Sequence, residues 1–254
     1  MRQLRASFIL LGFLCLTLPL MPIQLFLVSL NLRVARWLPW VCHRGLCRLL
    51  GVRIVIEGEA PAAPALLVSN HVSWLDIPIL SSAMPLSFIA KREVGGWPIF
   101  GWMAKLQRCV FVNRENRHST GKSSTEIAAR LNEGDCLVLF AEGTSNNGRT
   151  VMPFKSAYFG VVDNLNVKVI PVTLVYQSNY NLPLTLRQRP SFAWYGDMDL
   201  VPHLWEALKA GPLQVSVIFH EALPKTPRKD MAKLAHTTIA ESLTQALHGG
   251  PQIR

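Results

Sequence analysis

From Ala6 to Leu30 the chain carries no charged side chain, and Leu, Ile, Phe and Val dominate. A run of that length suits a membrane-spanning helix. Arg2 and Arg5 would also serve as the basic start of a cleaved signal peptide. No small-x-small cleavage site follows, however, and the apolar run continues into Asn31-Leu32-Arg33. The segment therefore reads as an anchor. Arg33, Arg36, Arg44 and Arg48 follow it, so basic residues flank both ends, and the positive-inside rule keeps both flanks cytoplasmic. Pro19 and Pro22 interrupt the middle and would kink or break a helix. Two short helices dipping into one leaflet fit as well as one full crossing. Trp37-Leu38-Pro39-Trp40-Val41, then Leu46, Leu49 and Leu50 among His43, Arg44 and Arg48, read equally as an interfacial helix or as an amphipathic helix packed on the domain.

Beyond Val52 the pattern changes to short β-rich runs alternating with helical stretches. Residues 52–56, 65–68, 87–90, 109–112, 136–140, 167–175 and 214–219 read as strands, with a turn at Pro61–Pro64 and a weaker strand candidate at Phe192–Tyr195. Helices are expected at about Trp74–Ser82 and at Thr120–Asn132, the second ended by Gly134. This alternation predicts an α/β fold, a mostly parallel sheet core flanked by helices, behind an N-terminal hydrophobic membrane anchor. Residues 1–50 are expected to form the anchor and interfacial helix, and residues 51–254 one α/β domain, with no internal repeat. The tail from Lys225, with Arg228, Lys229 and Lys233, reads as a basic surface helix with a solvated face.

Composition narrows the partners. A formal charge of +10 and a pI near 9.7 call for an anionic partner, nucleic acid or acidic lipid. Half the residues are hydrophobic and the mean hydropathy is +0.23, which with the apolar start favours lipid. No aromatic–basic interleaving suggests nucleic acid. The five cysteines form no CxxC pair, and His43 beside Cys42 lacks a second ligand pair, so no metal is expected. An odd count without framework spacing fits a reducing compartment. Neither GxSxG, GxGxxG nor a P-loop occurs, which disfavours a serine hydrolase or a nucleotide fold.

Asn70-His71-Val72-Ser73-Trp74-Leu75-Asp76 follows an apolar strand and opens a helix. A histidine at the strand end and a carboxylate five residues later can face each other across the bend. Asp76 would then accept one ring N–H of His71 and leave the other nitrogen free to take a proton. A helix N-terminus beside them offers backbone donors for an oxyanion. Taken alone, this loose spacing is more often a capped helix with a satisfied loop histidine.

In sequence context, the segment resembles the His-x-x-x-x-Asp block of the lysophospholipid acyltransferase family, which includes the 1-acylglycerol-3-phosphate acyltransferases. Three further blocks appear in the family's order: Cys109–Arg114, Phe140-Ala141-Glu142-Gly143-Thr144-Ser145, and Val169-Ile170-Pro171-Val172. With Lys91–Gly101, the likeness runs over roughly residues 50 to 220. It implies catalysis by His71 and Asp76. It also implies an acceptor site formed by Arg114, Glu142, Gly143 and Thr144, with Glu142 orienting Arg114 or the lysolipid, and Lys91 and Lys155 supplying charge. Acyl carrier protein or coenzyme A thioester would be the co-substrate, with no cofactor. Membrane lipids and a lysolipid acceptor would be the partners, at a bacterial-type inner membrane with the catalytic domain on the cytoplasmic side. Two departures bear on the acceptor. Ala141 replaces a customary proline, and Ser145 stands where many phosphate-acceptor members carry arginine or lysine. The run Ser145–Ser156 and Tyr195-Gly196-Asp197-Met198 also resemble the branch that acylates lyso-ornithine lipid. The expected reaction is acylation of 1-acyl-sn-glycerol-3-phosphate to phosphatidic acid, with lyso-ornithine lipid acylation as the alternative. A non-catalytic lipid-binding protein is the reading outside enzymes, and the presence of both His71 and Asp76 argues against it.

Overall fold

The computed structural model describes residues 1–112, 120–161, 167–180 and 182–249, with only the backbone of 120–124 and 161. Eight strands among these form one sheet: β1 (Val52–Glu57), β2 (Ala65–Ser69), β3 (Ser87–Lys91), β4 (Val110–Val112), β5 (Cys136–Phe140), β6 (Lys168–Asn179), β7 (Leu182–Pro183) and β8 (Leu213–Phe219). Their order is β1-β8-β6-β2-β5-β3-β4, with β7 paired to β6. From β6 through β4 all pairings are parallel; β8 runs antiparallel to β6 and carries β1 parallel to itself. The fold is thus α/β with a mostly parallel core, as the strand–helix alternation predicts.

Central strands β2 and β5 are buried at every position, as expected where helices cover both faces of a parallel sheet. Successive side chains point to opposite faces, so each strand feeds two cores. Ala65, Leu67, Cys136 and Val138 pack with residues of α1 (Arg2–Ser29), α2 (Trp37–Leu50), α3 (Asp76–Ala83) and α6 (Leu200–Ala210). Leu66, Val68, Leu137 and Leu139 pack with Ile127 and Leu131 of α5 (Thr120–Asn132) and with Met231, Ala232 and Ala235 of α7 (Arg228–His248). The basic tail therefore has two faces. Its charges sit outward, while one stripe closes the second core.

α1 is one continuous helix, although Pro19 and Pro22 each remove a backbone donor from its ladder. It is long and apolar enough to cross a membrane, about 42 Å at 1.5 Å per residue. It is also fastened to the rest of the chain. Arg5 donates to the carbonyls of Leu208 and, at 2.7 Å, of Leu50. Gln24 donates to Ala35 at 2.9 Å and to Leu106, in α4 (Phe100–Leu106), at 2.8 Å. α2 packs on the domain through Leu46, Cys47 and Leu50 and ends at Gly51, whose φ of +74° suits glycine.

The run Phe192–Tyr195 is not a strand. A short 3-10 turn, Arg189–Ser191, leads into it. The amide of Trp194 donates to Val72 O at 3.0 Å, which draws this segment to the end of β2 instead of into the sheet.

Candidate active site

β2 and β5 are neighbours with Ser69 opposite Phe140. The two chains leave the sheet together at their carboxyl ends, and continuing that register by two residues brings His71 beside Glu142. Asn70 anchors the exit: its side chain donates to Leu174 O at 3.0 Å and accepts from Leu174 N at 2.8 Å, continuing the pairing with β6. The chain then bends into α3, whose first residue is Asp76.

Asp76 is fully buried. Its Oδ2 accepts from the amides of Val72 (2.7 Å) and Ser73 (3.1 Å) and lies 2.8 Å from His71 Nδ1. Its Oδ1 accepts from the hydroxyl of Tyr176 at 2.7 Å. Surrounded by donors, the carboxylate acts only as an acceptor, so Nδ1 carries the ring proton. Nε2 of His71 is then the free basic nitrogen, and no described residue hydrogen-bonds it. Phe140 stacks on the imidazole, 4.1 Å between centroids at 17°. Burial and the adjoining Asp76 carboxylate push the Tyr176 phenol well above its ordinary value, so it stays a donor. The amides of Val72 and Ser73 at the helix start are spent on Asp76, so they are not available as oxyanion donors.

Glu142 is the second fixed point. Its Oε1 accepts from the His71 amide at 2.8 Å; Oε2 accepts from Asn146 Nδ2 at 2.6 Å and from the Met152 amide at 2.9 Å. Burial raises its carboxyl from 4.5 to about 6, against the lowering effect of these donors. These bonds tie the backbone of His71 to the 146–152 loop. The amide of Asn146 also returns to His71 O at 3.0 Å.

The other residues named from sequence take varied places. Gly143 turns the chain at φ +77°, and a side chain there would come within 3.1 Å of Lys155 Nζ and 3.0 Å of the Tyr158 hydroxyl. Lys155 donates its amide to Ala141 O at 3.0 Å. Thr144 is exposed. Lys91 is exposed at the end of β3, on the same sheet edge as His71 but two strands away. Arg114 lies outside the described residues. Ser145 donates its hydroxyl to Trp194 O, and Trp194 Nε1 donates to Met198 O at 2.7 Å. The serine in place of a basic residue thus joins the third block to the Tyr195–Met198 segment. Trp97 meets Trp194 edge to face, 6.3 Å between centroids.

Tyr176, Asn146 and the amide of Trp194 escaped the sequence reading. A tyrosine in a strand that is buried along most of its length signals that a buried hydroxyl needs a partner; which partner is fixed only by the fold. Among the described residues no group of three or more His, Cys, Asp or Glu side chains gathers as a metal site would require.

The acyltransferase family model matches residues 52–175, which takes in β1 through most of β6 and both fixed points. The lyso-ornithine lipid O-acyltransferase of Rhizobium meliloti is 40% identical over 244 residues, 92% of this chain and 84% of that one. The 1-acyl-sn-glycerol-3-phosphate acyltransferase of Neisseria meningitidis serogroup B is 33% identical over 178 residues, 69% of this chain and 68% of that one. The crystal structure of the 1-acyl-sn-glycerophosphate acyltransferase of Thermotoga maritima shares the fold, with a TM-score of 0.66 at 20% identity over 96% of this chain and 97% of that one. On the identity and coverage of these relatives, the chain belongs to the acyltransferase family.

Proposed function

We propose that the protein transfers a fatty acyl group from a thioester to the free hydroxyl of a lysolipid, and that its acceptor is lyso-ornithine lipid. The observation that carries the chemistry is the His71–Asp76 pair at 2.8 Å, with Nε2 unpaired among the described residues. Nε2 takes the acceptor's hydroxyl proton as its oxygen attacks the thioester carbonyl. The carbon–sulfur bond then breaks, and the imidazolium returns the proton to the departing thiolate. The acceptor is itself the nucleophile, so no acyl-enzyme forms. Asp76 fixes the tautomer and stabilises the transient imidazolium; Glu142 positions the His71 backbone. Acyl carrier protein or coenzyme A carries the acyl group. The apolar α1 holds the protein at a membrane, with the catalytic domain on the cytoplasmic side.

Lyso-ornithine lipid is favoured by the 40% and 41% identities to enzymes of that name from Rhizobium meliloti and Brucella abortus, against 33% for the glycerol-phosphate relative. The Ser145–Trp194 bond supports it, because it occupies the position where phosphate-acceptor members carry a cation. The second reading, 1-acyl-sn-glycerol-3-phosphate, is supported by Lys155 beside Gly143.

The test is acyl transfer by purified full-length protein in liposomes with both acceptors in parallel, wild type against His71→Ala. Loss of a general base should lower turnover about 10²–10⁴-fold. Transfer to lyso-ornithine lipid above lysophosphatidic acid is expected. The reverse preference would overturn the acceptor assignment, and unchanged turnover in His71→Ala would overturn the mechanism.

A further inference from the structure

At the opposite end of β5 from Glu142, just before the strand begins, Asp135 is 4% exposed and surrounded by arginines. Arg36 Nε lies 2.7 Å from Oδ1, Arg130 Nε 2.5 Å from Oδ2, and Arg108 3.3 Å from each oxygen. Arg36 also donates to the carbonyls of Gly134 (3.1 Å) and Glu133 (2.7 Å). Glu133, the second carboxylate, lies 3.7 Å from Arg108 and is largely open to solvent. Arg33 makes no side-chain ion pair or hydrogen bond among the described residues. Among the described residues, four guanidinium groups thus face two carboxylates, leaving two positive charges unneutralised. Arg130 Nη2 is buried without a hydrogen-bond partner among the described residues. Burial and the neighbouring Arg130 and Arg36 lower the affinity of Arg108 for its own proton, as expected where cations are in excess.

These groups frame a cavity. Asn31, Leu32, Arg33, Arg36, Arg108 and Glu133 line about 240 Å³, room for a phosphate group and part of what it is attached to. Leu32 gives the lining an apolar rim, and its neighbours in sequence Leu30, Val34 and Trp37 are, like it, between 42% and 54% exposed. All four lie just beyond the end of α1, the helix apolar enough to enter a membrane. A free phosphate has no use for such a rim, nor does an acidic protein surface. A phosphate that brings acyl chains with it does.

We propose that this cavity binds the phosphodiester headgroup of an acidic membrane phospholipid, with its acyl chains lying along Leu30, Leu32 and the end of α1. The site is separate from the reaction centre. β5 separates Asp135 from Glu142 by seven residues, roughly 20 Å of extended chain. Arg33 supplies the uncommitted charge, and Arg36 and Arg108, held in place by Asp135, supply preorganised donors. A guanidinium suits this ligand because its fork matches two phosphate oxygens. A net anionic headgroup is selected over a zwitterionic one, whose ammonium group would add a third excess cation.

The experiment uses delipidated full-length protein in neutral detergent, with lipid adducts counted by native mass spectrometry. Phosphatidylglycerol and phosphatidylcholine of equal chain length are the two probes. Inorganic phosphate and acyl carrier protein are added as competitors. Wild type should retain phosphatidylglycerol in excess of phosphatidylcholine. Arg33→Gln should lower phosphatidylglycerol retention about fivefold, the contribution of one basic residue near an anionic lipid. Lys225→Gln, an exposed change of equal charge, should leave retention unaltered. Arg33 has no partner among the described residues, so the variant should melt like wild type. His71→Ala should retain the lipid fully, which separates this site from the reaction centre and from the proposed reaction. Equal retention of both lipids, or equal losses in Arg33→Gln and Lys225→Gln, would overturn the proposal. So would displacement by millimolar inorganic phosphate, which would make the ligand free phosphate. Loss of carrier-protein binding in Arg33→Gln with lipid retention unchanged would give the surface to the protein instead.

Discussion

Removing one oxygen atom from Tyr176 tests what holds the reaction centre rigid. Asp76 is fully buried, and its Oδ1 receives one described hydrogen bond, from the Tyr176 hydroxyl. The remaining three contacts all fall on Oδ2. Tyr176→Phe keeps the ring and opens no cavity beyond the lost hydroxyl, so its cost comes from a carboxylate oxygen left dry and unpaired. A hydrogen bond to a charged group contributes about 1.5–3 kcal/mol. At about 2–4 °C per kcal/mol for a chain of this size, the melting temperature in detergent should fall by roughly 3–12 °C. Turnover should fall as well, by less than about 100-fold, because the Oδ2 contacts keep the imidazole within a fraction of an ångström of its place. A double-mutant cycle with Asp76→Asn gives the decisive comparison. With the charge gone, the same tyrosine change should cost about 1 kcal/mol or less. A cost below about 0.5 kcal/mol in the wild-type background, or equal costs in both backgrounds, would refute the assignment of Tyr176 as the support of Asp76.

Glu142 should leave a signature in pH dependence. Its carboxyl holds a proton more tightly when folded, at about 6 against 4.5, so it favours folding below pH 4.5 and that contribution is lost as pH rises through 6. The change is about 2 kcal/mol, at 1.36 kcal/mol per pH unit. Glu142→Gln should flatten the stability curve between pH 4.5 and 6.5 by that amount, read by denaturant titration; an unchanged slope would contradict it. Gly148→Ala meets two obstacles, a φ of +70° and a Cβ 3.0 Å from the Val72 side chain. It should cost about 1–2 kcal/mol for the left-handed backbone alone, and it should lower turnover by shifting the residue beside His71. Thermal melting and initial rates check both effects. Arg5→Ala removes the donor to the Leu50 and Leu208 carbonyls, and should lower the melting temperature while leaving KM for a short-chain thioester unchanged.

The strands and α5 could be read because each is specified locally. Cys136–Phe140 is an unbroken apolar run closed by turn residues, and Thr120–Asn132 repeats at helical spacing and stops at Gly134. His71 and Asp76 could be singled out only in company: five residues apart on one bend they read as a capped helix, and it was the ordered blocks around them that marked them as a pair. The supports of that pair were not legible. Tyr176 reaches Asp76 across 100 positions of sequence, and Trp194 reaches Val72 across more than 120; hydrophobic periodicity carries nothing about such pairings. The same limit explains Phe192–Tyr195. Its aromatic content suits a strand, but its hydrogen bonds go to a loop and its place in the sheet is never formed. Glu142 was found as a residue of a family block, while its bond to the His71 amide depended on strand register, which the sequence does not display.

The two polar fastenings of α1 bear on how the protein would sense its lipid surroundings. Arg5 and Gln24 are 19 residues apart, about 28 Å along the helix, and each clamps carbonyls from two separate segments. A helix held only at one end can tilt to match a thicker or thinner bilayer while its domain stays still. This one has no hinge at either end. The stretch of about 28 Å between the two fastenings therefore moves with the domain, so a tilt of α1 at a membrane would tilt the strand ends that carry His71 with it.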